Sequence, residues 1–166
     1  MASSLSVKWT NSLKWEMTNA LDLSTPNDYG TLDLKDDLAN GTGTDQADEV
    51  WHDERTLAAA SETLDLTSLA GGPWGSTKAF ASIKAIFIKN TGTTTGEDLT
   101  VGGAAANAWC AMFADSTDKA KVMPNGVLAW WSPTDAETVD GTHKNLKIDA
   151  GAASITYKIV IVGVST

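Results

Sequence analysis

Along most of the chain apolar residues recur at every second position, the period of a strand with one buried face. Leu5, Val7 and Trp9 alternate with polar neighbours, and Leu13, Trp15, Met17, Leu21 and Leu23 continue the rhythm, interrupted only at Asn19. Thr25-Pro26-Asn27-Asp28 is turn chemistry, and Leu32 and Leu34 resume the alternation after it. Residues 1–44 therefore predict an N-terminal β-hairpin or arm. Within it Val7-Lys8-Trp9-Thr10-Asn11 is echoed by Leu13-Lys14-Trp15 and Thr18-Asn19, an echo too short to signal a repeat architecture.

The polar, glycine-rich stretch from Ala39 to Ala47 separates this arm from a body over residues 45–166. There the pattern predicts Glu49 to Leu57 and Glu62 to Leu66 as paired strands, a Gly71-Gly72-Pro73-Trp74-Gly75 loop, and a central strand from Ala81 to Lys89, apolar on both faces. Asn90 to Gly96 reads as a hairpin loop before Leu99-Thr100-Val101. Ala108 to Phe113 reads as a further strand, and Pro124-Asn125-Gly126 as a tight turn. Val127 to Trp131, Asn145 to Asp149 and Ile155 to Val164 complete the set. Thr56 to Leu64 is the best helix candidate, with a turn as the alternative. Many short strands divided by Gly, Asn, Asp and Pro predict an all-β domain, a β-sandwich of jelly-roll form.

Composition narrows the function classes. A chain of 166 residues, 42% hydrophobic and 20% charged, suits one domain with its own core, and its apolar runs are too short for a membrane-spanning helix. Met1 to Trp15 lacks the continuous apolar core of a secretory signal, so export by the general route is not expected. The net charge of −9 lies wholly in residues 1–71, where thirteen acids oppose Lys8, Lys14, Lys35 and Arg55; residues 72–166 balance eight acids with eight lysines. An acidic surface argues against nucleic acid and anionic membrane as partners. It serves solubility or meets a basic partner.

No catalytic, cofactor-binding or metal-binding set assembles from the residues. Gly71 to Lys78 has the flavour of a phosphate loop, but the lysine follows Ser76-Thr77 instead of preceding them. Asp48 to Arg55 is the densest titratable run, with His52 and Glu54 on one strand face and Asp53 and Arg55 on the other; one histidine and one carboxylate are too few for zinc. Arg55 is read as the centre of a structural ion pair. The other histidine, His143, falls in a polar loop, and the lone Cys110 is expected to be an inert core thiol. Asn40-Gly41-Thr42 matches a glycosylation sequon, relevant only in a secretory pathway. Adjacent Trp130 and Trp131 must face opposite ways, one into the core and one toward a subunit or, alternatively, a sugar. With Trp9 and Trp15 they are the candidate interface residues.

The run Asp45 to Ala58, Ile83 to Asn90, Leu99-Thr100-Val101-Gly102-Gly103-Ala104, Pro124 to Leu128 and the closing Ile155 to Gly163 together resemble the small β-sandwich virion proteins of tailed bacteriophages. The likeness lies in the rhythm of strands and turns over residues 45–166 and carries no functional residues with it. It implies a capsid decoration or cement protein without enzymatic activity or cofactor. Such a protein is made in the host cytoplasm and binds the head exterior as a homotrimer, with itself and the major capsid protein as partners. Alternatives are a carbohydrate- or receptor-binding module of a tail or fibre, a neck or tail structural protein and, more distantly, an enzyme.

Overall fold

Twelve strands account for most of the chain in a computed structural model that describes residues 4–72 and 75–166. Pro73 and Trp74, named above as part of a loop, lie outside the described residues. The first two strands, β1 (Val7–Thr18) and β2 (Asn27–Asn40), form a long antiparallel hairpin, paired from Val7 with Leu38 to Thr18 with Asn27. Short β3 (Gln46–Ala47) runs parallel to the end of β2 and leads into β4 (Glu49–Ala58).

The body is β-sandwich-like, all β, with two facing sheets. One has the order β10 (Glu137–Thr138), β6 (Phe80–Asn90), β12 (Ser154–Ser165), β4, with β9 (Val127–Trp131) beside β10 on the same edge of β6. The other has the order β5 (Ser61–Asp65), β11 (Asn145–Asp149), β7 (Leu99–Gly102), β8 (Lys119–Val122). Register assigns the faces. On the inner face of the five-stranded sheet Trp51, Ile161, Ile86 and Trp130 form one cross-strand row, and Ile159, Ile88 and Leu128 lie in the next. They pack on Leu64, Leu99, Val101, Val122, Leu146 and Ile148 of the second sheet, all buried, in one continuous core. At roughly 25 cal/mol per Å2 of apolar surface, this inter-sheet layer dominates the stability of the fold.

Several expectations are corrected. Glu49 to Leu57 and Glu62 to Leu66 do not pair with each other: β4 pairs with β12 and β5 with β11, in different sheets. Ala59, with φ of 50°, turns the chain from one sheet to the other. Asn90 to Gly96 likewise does not close a hairpin, because β6 and β7 belong to opposite sheets. Asn90 anchors that crossing, its buried Nδ2 donating to the carbonyls of Glu97 (2.8 Å) and Val122 (2.9 Å). Thr56 to Leu64 is strand, turn and strand, and Ala108 to Phe113 is a series of turns with one bridge from Ala108 to Asn145. Trp109 is therefore a plug that fills the core from a loop, meeting Trp130 edge-on at 5.6 Å. Cys110, in the same turns, is half-buried.

Strand β6 carries a bulge. Pairing with β12 steps from Val162–Ala85 to Gly163–Ile83, which leaves Lys84 as the extra residue. A Cβ on Gly163 would collide with the Ser82 carbonyl, so glycine permits the close approach. Lys84 is buried, and its Nζ donates to the carbonyls of Gly43 (2.8 Å) and Pro133 (2.7 Å). A charge whose donors meet two carbonyls this closely is held by them in place of water. It fastens the loop that follows the hairpin to the body.

Candidate functional site

The hairpin is a ribbon with unlike faces. Residues opposite one another in an antiparallel pair share a face, so one side carries Val7, Trp9, Leu13, Trp15 and Met17 with Leu38, Leu34, Leu32 and Gly30, and among them the polar Asn11, Asp36 and Asp28. The reverse side carries Lys8, Thr10, Ser12, Lys14 and Glu16 with Asp37, Lys35, Asp33, Thr31 and Tyr29. Polar pairs fasten that side, Ser12 Oγ donating to Asp33 Oδ1 at 2.6 Å and Asn27 Nδ2 to Glu16 Oε1 at 2.8 Å.

The apolar side is docked over only half its length. At the root, Leu38, Ala47, Ala85 and Val162 form a second buried cluster joined by Leu5, Val7, Val50 and Trp131, on the outer face of the five-stranded sheet. Trp9 stacks on Trp131 with centroids 5.1 Å apart and an interplanar angle of 28°, and meets Phe87 edge-on at 6.4 Å. Trp131 Nε1 donates to Asp36 Oδ2 at 3.0 Å, tying the second hairpin strand to β9. Beyond Asn11 and Leu34 the ribbon passes the edge of the body and its apolar side is bare. Leu13 is 63% exposed, Met17 68% and Leu23, at the tip, 99%. Leu21, Leu32 and Leu34 are also exposed, as is Tyr29 on the reverse side. Trp15 lies flat across the ribbon over Gly30, where a Cβ would collide with the indole, so this face is smooth as well as apolar.

The same sheet offers a second, smaller apolar area. Its outer rows read Val50–Val162–Ala85–Trp131, then His52–Val160–Phe87–Ala129, then Glu54–Lys158–Lys89–Val127. The root of the hairpin buries the first row. Phe87 (38% exposed), Val160 (36%) and Val127 (48%) remain open beside it, and Trp9, Phe87 and Val127 line one hollow of about 670 Å3.

Of the four candidate tryptophans, Trp9 and Trp131 meet at the root, Trp15 lies on the bare part of the ribbon, and Trp130 faces the core. Sequence reasoning missed Phe87 and Val160, because a strand apolar on both faces hides which face is covered.

Arg55 belongs to a different place, the open end between the sheets. Its Nε and Nη2 donate to Glu62 Oε2 at 2.8 and 2.6 Å, and its Nη1 to Asp53 Oδ2 at 2.8 Å. Tyr157 donates its hydroxyl to Glu62 Oε1 at 2.7 Å. The hydrogen bond to Glu62 holds the Arg55 guanidinium above its ordinary value, while burial and then the bond to Glu62 raise the Tyr157 phenol. Three strands, β4, β5 and β12, are clamped across the two sheets.

His143 caps its own loop. Its Nδ1 lies 3.3 Å from Asp140 Oδ1, and Asp140 accepts from Thr142 Oγ1 (2.7 Å), Thr142 N (2.6 Å) and His143 N (2.8 Å). Led by the Thr142 hydroxyl, these donors lower the Asp140 carboxyl from 3.8 to about 2. Cys110, Ser116 and His143 line one hollow of about 240 Å3, but no hydrogen bond joins Cys110 to His143. Among the described residues no three His, Cys, Asp or Glu side chains are placed to hold a metal ion, and no helix is long and apolar enough to cross a membrane.

The geometry leaves two apolar surfaces uncovered: the distal face of a rooted ribbon, and a strip on the sheet that roots it. No protein-family profile, curated protein or solved structure matches this chain.

Proposed function

We propose that this chain is a structural protein of a virion shell, a decoration protein that associates with itself as a homotrimer and with the major capsid protein, and that its N-terminal hairpin is the gripping arm. The observation that carries the reading is the bare apolar face of the hairpin. A two-stranded ribbon is marginally stable in water, and large exposed side chains on one smooth face mark a surface made to be covered. Aromatic and aliphatic anchors of this kind dominate the energetics of protein interfaces.

The jelly-roll form is supported by strand order. With β4 to β9, β11 and β12 taken as eight successive strands, one sheet has the order first, eighth, third, sixth and the other second, seventh, fourth, fifth. That is the order of two interlocked Greek keys, an architecture that viral capsid proteins share with lectins. Against the lectin alternative stand the indoles of Trp9 and Trp131, which present their faces to each other and leave no open stacking platform between them.

The test is addition of the purified chain to heads that lack it. The expected result is cosedimentation with the heads and a higher melting temperature of the shell, since a ligand bound only to the intact particle stabilises it by mass action. A chain that leaves head stability unchanged and binds glycans would transfer the assignment to a receptor-binding module.

A further inference from the structure

We infer that the bare half of the hairpin is seated on a second copy of this chain, against the open Phe87–Val160–Val127 strip of that copy's five-stranded sheet. The contact is head-to-tail: ribbon of one copy, sheet of the next. The inference rests on the self-association in the functional reading above and not on the virion.

Three observations choose this occupant. The first is continuity with an interface the molecule already makes. Val7-Lys8-Trp9 recurs as Leu13-Lys14-Trp15 six residues on, an even spacing that keeps both apolar–Lys–Trp triplets on one face. The first triplet docks its apolar pair on the outer face of this sheet, with Trp9 against Phe87 and Trp131. The second presents the same pair to solvent. A surface shown to accept the first triplet has the chemistry to accept the second.

The second observation is the shape of what remains open. The row His52–Val160–Phe87–Ala129 crosses four strands. At about 4.8 Å between strands it is about 14 Å wide, room for a two-stranded ribbon laid face to face. It adjoins the resident root, so an incoming ribbon would extend a layer already begun.

The third is charge. On its apolar side the distal ribbon carries Asp28, opposite Met17, and at its tip Asp22; Glu16, Asp33 and Lys14 are on the reverse side. The seat is bordered by Lys89 and Lys158, which lie side by side in the next row, with Glu54 bound to Lys158 at 3.1 Å and His52 at the edge. Asp28 and Asp22 come within reach of lysines on this sheet, whereas an anionic lipid surface would repel the net negative charge of the ribbon. Because ribbon and seat are different surfaces, the contact repeats from copy to copy and closes only when the rotation returns to the first, which gives a ring.

The experiment is site-specific cross-linking in a Cys110→Ala background. Leu32→Cys is placed in one chain and Val160→Cys in a second chain of different mass, and the mixture is oxidised in air. A disulfide between the two unlike chains is expected, together with oligomers in sedimentation. Leu13→Lys with Leu32→Lys should disperse those oligomers while the melting of the fold stays unchanged, and Leu32→Met should keep them. Disulfides only between chains carrying Leu32→Cys would overturn the inference in favour of ribbons packed on each other. Flotation with phosphatidylcholine–phosphatidylglycerol vesicles, abolished by the lysine pair, would overturn it in favour of a lipid surface. A monomer that still decorates heads sinks this inference and leaves decoration standing. A cross-linked ring that ignores heads sinks decoration and supports the inference.

Discussion

The two ends of the hairpin have the same composition on the same face and opposite fates. At the root, Val7, Trp9 and Leu38 are covered by Ala85, Val162 and Trp131; in the distal half, Leu13, Met17 and Leu32 stand in water. Alternation therefore specifies a face and not its burial. What differs is whether a complementary sheet lies beneath, and that sheet joins β4, the next long strand in the chain, to β6, β9 and β12, which are far away in sequence.

The contrast predicts a steep difference between core and ribbon. Trp51→Ala, which empties a fully buried site between the sheets, should cost about 3 to 5 kcal/mol, whereas Leu32→Ala in the distal ribbon should stay within about 0.5 kcal/mol for the monomer. Denaturant unfolding of both variants checks this. Equal losses would mean that the ribbon is part of the core.

The clamp comes next. Arg55→Ala removes three charge-assisted hydrogen bonds and leaves Glu62, whose side chain is 17% exposed, without its cation though still bound by the Tyr157 hydroxyl. A loss of about 1 to 3 kcal/mol is expected, and Arg55→Lys, which cannot reproduce the forked contact to both carboxylates, should recover only part of it. A full recovery would reduce the clamp to a point charge.

At the root, Trp131→Phe keeps an aromatic ring but loses the donor to Asp36. We expect about 1 kcal/mol, read as faster proteolysis of the hairpin with the melting of the body nearly unchanged. A body that melts with the hairpin would show that the two are one cooperative unit.

The smallest effect is local and pH-dependent. Asp140 is held at about 2 against 3.8 for the free carboxyl, so its contribution is fully present above pH 4 and is lost as pH falls through 2. Amide exchange in the loop from Asp140 to Lys144 should rise over that interval. In Asp140→Asn exchange there should lose this dependence while the hairpin behaves as before.

The sequence determines on its own whatever depends on nearest neighbours along a strand. The alternation in β1, β4 and β12 assigns each residue a side, because successive side chains on an extended backbone must point oppositely. The acid-rich first half and the turn residues can be read in the same way, and Trp9, Trp15 and Trp131 stand out as large apolar groups that an extended chain displays. Tertiary structure decides which strands share a sheet. Adjacent β4 and β5 part at Ala59 because each finds its partner near the C-terminus, and no local signal encodes that choice. Ala108 to Phe113 looks like a strand but turns inward, since Trp109 fills a gap that exists only once the sheets face each other. Lys84 is buried because a bulge and two loop carbonyls converge on it, and Phe87 and Val160 are half open because the hairpin root stops one row short of them. Burial is a property of two surfaces, and a sequence pattern describes one.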